Sequence, residues 1–298
     1  MGLIGDDSFG SPLERIVTGL LALMTGAVLI YLAVQGPLVR GVIRYKAAEV
    51  INNQLIGQDV VNLAVLSPLL IVGGLALLLK RRFAKDLLIA TPLFLFYYVL
   101  SYTIGWEWSS PNYAGNSQAY TFHFLFVLVA ALVILLYSLA EFPKNVVSRF
   151  RPVGLAVYSL VFSTLLLVFA GMWVKEVREV IATGTARGYD IAPTAFWLVR
   201  VFDLGFSMPL GFVSLYLLWA RPNRAYAVVC LFYGFFFTQI VAVNAMGWVM
   251  FLKKDPAFLW RDLIVFTALA LVIFVGYIYV RRNYGMAHRQ VNLDTTSM

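Results

Sequence analysis

Long apolar runs separated by short polar connections set the pattern of this chain. Eight runs approach or exceed the ~20 apolar residues that a bilayer-spanning helix needs. They cover 16–35, 58–80, 87–105, 119–141, 153–175, 194–219, 225–252 and 263–280. The pattern predicts an all-α integral membrane protein with eight transmembrane helices. The longer connections are 36–57, 106–118 and 176–193. Residues 38–57 and 174–187 mix apolar and charged side chains at helical spacing, so they either lie on the membrane surface or extend their helices beyond it. The acidic start MGLIGDDSFGSPLER lacks the basic stretch of a signal peptide, so the first run is expected to be retained as a helix.

Composition sharpens this. Apolar residues are 61% and charged residues 13% of the 298-residue chain, about half the ~25% charged content of a soluble domain. No water-soluble fold of this size hides so much apolar surface, and no soluble domain is expected. The net charge of +8 sorts by side. An even number of spans puts both termini on one face, with the connections after spans 2, 4 and 6. That face carries thirteen Lys and Arg against six Asp and Glu, and the opposite face nine against seven. Excess Lys and Arg marks the cytoplasmic side, which predicts the cytoplasmic membrane as location and both termini inside. The basic balance is therefore a topology signal, and no nucleic-acid partner is expected.

Several chemistries drop out. His123 and His288 are too few for paired haem ligation, and no Cys/His/carboxylate cluster suits zinc. Cys230 stands alone, and every lysine lies at or beyond the end of an apolar run. No GxxxxGK[ST] or GxSxG motif occurs. The sequence thus offers no metal site, no cofactor and no catalytic residue set.

An internal repeat emerges from spans 2 and 6. Gln58-Asp59, an apolar stretch, then Pro68-Leu69 and a run ending in bases matches Phe202-Asp203, an apolar stretch, then Pro209-Leu210 and a similar run. The prolines are 141 residues apart. Four spans per unit is even, so both units insert the same way up, as parallel repeats. The expected halves are 1–148 and 149–298. In this alignment Asp59 corresponds to Asp203, although one lies nine and the other six residues before its proline. The stretches GQDVVNLAVLSPLLIVGGLALLLKRR, FYYVLSYTIG and FDLGFSMPLGFVSLYLLWARP resemble a group of uncharacterised multi-pass membrane proteins of bacteria and archaea. The resemblance covers about residues 57–250 and implies the architecture but no activity.

Ionisable groups inside a bilayer are costly, so they face a bundle interior or cavity. Arg200 and Asp203 are three apart on one helix face and would pair directly. They read either as a packing pair or as a ligand site, with the Arg200 fork suited to a small anionic solute. Asp59 reads either as the N-cap of span 2 or, with Asn62 on the same face, as part of a proton-linked site. Thr238, Gln239 and Asn244 on span 7 lie at a compatible depth, as hydrogen-bond glue between helices or as further lining. Trp106, Glu107, Trp108 and His123 would form a lid or outer pocket, or anchor the interface. Thr18, Ala22 and Gly26 on span 1, with Gly73-Gly74 on span 2, predict close helix contacts. Pro68, Pro92 and Pro209 predict kinks.

Three functional classes fit. The first is a transport or binding protein with an outward-facing site of Asp59, Asn62, Arg200, Asp203, Gln239 and Asn244, taking protons or a small anion. The second is a non-catalytic assembly subunit that covers an apolar face with a membrane protein partner. The third, an enzyme acting on lipid, would have only Glu107, His123 and Asp59 to work with. All three have the lipid bilayer as their first partner.

Overall fold

The computed structural model describes residues 9–105, 113–143, 146–186 and 188–286. Among them eight helices are long and apolar enough to cross a membrane. They are α1 (Pro12–Gln35), α2 (Glu49–Leu78), α3 (Ala84–Ile104), α4 (Ser117–Glu141), α5 (Pro152–Thr183), α6 (Pro193–Ala220), α7 (Pro222–Leu252) and α8 (Trp260–Arg282). The protein is a polytopic α-helical membrane protein.

Local chemistry sets the helix ends. Ser11 caps α1 and Glu14 reaches back to it in a reciprocal capping box, with Pro12 in the first turn. Gly184 ends α5 in the left-handed conformation (φ 76°). Two helices outrun their apolar stretches. α2 starts at Glu49, because its first turns bury Ile51, Leu55 and Gly57. At Gly57 the backbones of α2 and α7 touch: a Cβ there would lie 2.6 Å from the backbone of Met246. α5 continues through Lys175–Glu179 to Thr183.

The three prolines behave in two ways. Pro92 follows a break at Ala90–Thr91 that divides α3 into two helical segments. Pro68 and Pro209 each follow a five-residue π turn, Asn62–Leu66 and Asp203–Ser207. Proline has no N–H to donate and its ring collides with the carbonyl four residues back. A wider turn just upstream relieves both problems. Ser67 N–H donates to the Asn62 carbonyl, and Met208 N–H to the Asp203 carbonyl, in the same relation.

In the bundle, α1 packs on α2 and α4, and α2 on α3 and α7. α7 also packs on α6 and α8, and α6 lies on α3 and α5. Small residues make the α1–α2 contact, as expected: Ala22 and Gly26 are buried, and Gly74 lies against the Gly19 carbonyl. A short antiparallel ladder of β1 (Val146–Ser148) and β2 (Tyr284–Met286) closes the face that carries the termini. The opposite face is called distal below. Burial is uneven: 61% of the α3 span is buried, but only 22% of α5 and of α8.

Candidate functional site

Two polar sites stand equally far along their helices. Asp59 and Asp203 are each ten residues into their helix from its distal end, about 15 Å at 1.5 Å per residue. The π turns keep the 141-residue offset of the prolines. At that offset Asn62 falls opposite Asp203, and Asp59 opposite Arg200. Asp59 and Asp203 are therefore not positional equivalents. The physical reason is the proline, which fixes where the wide turn must fall.

Asp59 is buried (1% exposed) in mid-helix, ten residues past the start of α2, so it is not the N-cap of that helix. One carboxylate oxygen, Oδ2, accepts a long hydrogen bond (3.4 Å) from Leu38 N–H. It rests against Gly36 at the end of α1, where a Cβ would come within 2.5 Å of it. Only glycine leaves room for the carboxylate there. One turn on, Gln58 Nε2 donates to Asn62 Oδ1 at 2.9 Å. Beside them stand buried polar atoms with no hydrogen-bond partner among the described residues: Asn62 Nδ2 and the hydroxyls of Tyr45 and Tyr98. Buried polar groups are normally bonded, so a cluster of unbonded ones calls for an explanation. Tyr98 lies beside the Asn62 amide, outside strict bonding geometry, and both Tyr98 and Tyr102 feel the Asp59 charge. The rings interlock, with Tyr98–Tyr102 centroids at 4.4 Å and Tyr45–Tyr102 edge-on at 5.1 Å.

A strap covers this chamber on the distal side. Residues 36–48 join α1 to α2, and over 42–47 they alternate like a strand. Ile43, Tyr45 and Ala47 are buried, while Val42 and Arg44 face out. Asn116 clips the strap as a pseudo-strand. Its Oδ1 accepts from Arg44 N–H (2.8 Å), its Nδ2 donates to the Val42 carbonyl (2.9 Å), and its own N–H donates to the Arg44 carbonyl (2.9 Å). A surface depression of about 360 Å³, lined by Pro37, Gly41, Arg44, Asn52 and Tyr113, has Tyr45 in its wall. Tyr45 thus stands between that depression and Asp59. Burial first, then Tyr98, Asp59 and Tyr120, push its hydroxyl well above the ordinary tyrosine range.

The second site is differently finished. Asp203 Oδ2 accepts from Trp173 Nε1 at 2.9 Å and Oδ1 from Ser207 Oγ at 3.2 Å. Arg200 does not make the expected direct pair with Asp203. Its Nε (3.1 Å) and Nη2 both bond Glu176 across on α5. Its guanidinium lies over the rings of Trp173 (4.4 Å) and Phe196 (3.9 Å). The extension of α5 beyond its apolar run supplies Glu176, and the rings aim the fork towards it.

The remaining candidates separate. Gln239 lies beside Tyr97, which also feels Asp203 and Arg200, so Gln239 belongs with the second site. Adjacent tyrosines on α3 thus serve different sites, Tyr97 the second and Tyr98 the first. Asn244 belongs to neither set. It donates to the carbonyls of Ile240 (2.8 Å) and Phe266 (3.1 Å) and accepts from Thr267 (2.8 Å), which pins α7 to α8. His123 is half-buried and stacks on Tyr31 at 5.2 Å. Trp106, Glu107 and Trp108 lie outside the described residues. Sequence reasoning passed over Tyr45, Tyr98, Asn116, Trp173 and Glu176. The i, i+4 spacing of Tyr98 and Tyr102 and the i, i+3 spacing of Trp173 and Glu176 were the available signals. No family model, curated protein or solved structure matches the chain.

Proposed function

We propose that this protein is an ion-coupled carrier built from two parallel four-helix halves, with its ion site at Asp59 and its entrance on the distal face. One observation carries the reading: a buried carboxylate held by a single long hydrogen bond, among buried hydroxyl and amide groups that have no partner among the described residues. Such a group is expensive to keep in a membrane protein unless it binds something that moves. The two-half reading draws support from the paired π turns. It also draws on the exchange of contacts, α2 with α7 and α6 with α3. In this reading the distal face is outside, the termini are cytoplasmic, and the strap held by Asn116 is the outer gate.

The test is ion flux in proteoliposomes under an imposed diffusion potential, read both as proton entry with an internal pH dye and as uptake of radioactive Na⁺. The wild type should carry at least one of the two ions at least tenfold faster than Asp59→Asn. Equal rates of the two proteins for both ions, or a wild type no faster than empty liposomes for either, would overturn the proposal. A second reading, a subunit that docks another membrane protein, rests on the sparsely buried α5 and α8. A stoichiometric partner retained through mild extraction would favour it.

A further inference from the structure

Asp59 sits at a place where negative charge accumulates. The end of α1 carries the negative end of the helix dipole, and its carbonyls at Leu32, Val34, Gln35 and Gly36 accept backbone N–H groups of residues 36–43. A Cβ placed on Gly36 would lie 2.5 Å from Asp59 Oδ2 and 3.0 Å from the Leu32 carbonyl oxygen, so both oxygens converge on that end of α1. On α2, Asn62 N–H is shared between the carbonyls of Gln58 and Asp59. The hydroxyls of Tyr45 and Tyr98, buried and without a partner among the described residues, lie within the field of the Asp59 carboxylate. A buried carboxylate with hydroxyl and amide oxygens around it offers hard, oxygen-only ligands.

We infer that the Asp59 chamber binds a dehydrated monovalent metal cation, with Na⁺ the ion to use as probe. A single carboxylate balances a single positive charge, which sets the valence. Oxygen ligands alone favour a hard cation over a soft one. The tyrosine rings stand close, at 4.4 Å for Tyr98–Tyr102 and 5.1 Å for Tyr45–Tyr102, and this tight surround suits an inorganic ion better than an organic ammonium. Asp59 supplies the charge, the hydroxyls of Tyr45 and Tyr98 and the amide oxygen of Asn62 supply neutral oxygens, and Tyr98 closes the side facing α3. This inference rests on the proposed ion site and adds the identity of its ligand.

The test is equilibrium binding of radioactive Na⁺ to the purified full-length protein in detergent, with choline chloride holding ionic strength constant. One saturable site per chain is expected, displaced by unlabelled Na⁺ and not by choline. Asp59→Asn should lose binding at least tenfold while eluting as the wild type does on gel filtration. Tyr98→Phe, which removes one oxygen and keeps the ring, should weaken binding about threefold. Absence of saturable Na⁺ binding, or binding unchanged in Asp59→Asn, overturns the inference. If Na⁺ fails to bind but proton flux still depends on Asp59, only this inference falls. If both fail, the carrier reading falls with it.

Discussion

Asp59 and Asp203 each stand ten residues into their helix, at a π turn that precedes a proline, and their surroundings are nearly opposite. Asp203 receives an indole N–H and a hydroxyl, and the neighbouring Arg200 is closed off by Glu176 and two rings. Asp59 receives one long backbone bond, and the groups around it are buried and largely unbonded. The packing differs in the same direction. α1–α3 wrap Asp59 closely, whereas α5, which faces Asp203, is only 22% buried. Helix position alone therefore does not decide what a buried acid does. The neighbouring elements decide it, by supplying donors or withholding them.

The largest effect expected on this contrast comes from backbone contact. Gly57→Leu forces a side chain into the backbone of Met246, and overpacking of this kind costs about 3 kcal/mol. Gly205→Leu, on the Asp203 turn, meets open space and should leave thermal stability unchanged. A melting series on both variants in one detergent checks this, and similar losses would erase the packing difference.

Next comes the ion pair. Glu176→Gln leaves Arg200 with its charge uncompensated, and the two side chains are 25% and 13% exposed. The loss should be about 2 kcal/mol, between the surface and buried ranges. Adding Arg200→Gln should restore part of it, as a double-mutant cycle in thermal unfolding would register. Asn116→Ala removes two side-chain bonds to the strap, worth about 1 kcal/mol each. In a Cys230→Ser, Tyr45→Cys background it should raise labelling by an impermeant thiol reagent about tenfold. Unchanged labelling would mean that Asn116 does not hold the strap closed. The smallest effect is expected at Asn244, which ties α7 to α8 away from both acids. Asn244→Leu should cost about 1 kcal/mol, for two interhelical bonds at about 0.6 kcal/mol each, and leave ion flux as in the wild type.

The eight helices were legible because a bilayer demands long apolar runs, and length and polarity report them directly. The depth of Asp203 inside its run was legible for the same reason. Three features were not. Asp59 looked like the opening of span 2, because the polar turns before it are helical only through packing that includes the backbone contact of Gly57 with Met246 on α7. The partner of Arg200 sits on a part of α5 that looks like a solvated surface stretch, since Lys175, Glu176, Arg178 and Glu179 are all charged. The strap reads as a polar connection, because its alternation over 42–47 is short and its clip, Asn116, is 72 residues from Arg44. Each miss involves contacts between segments distant in sequence, which local periodicity does not encode.

The most direct measurement places Asp59→Asn and Asp203→Asn side by side in the same proteoliposome flux assay, at matched protein density and orientation. Asp59→Asn should lose at least tenfold in ion flux, while Asp203→Asn stays within twofold of the wild type and shows only reduced thermal stability. Equal losses in both variants, or a loss confined to Asp203→Asn, would contradict the assignment of the ion site to Asp59.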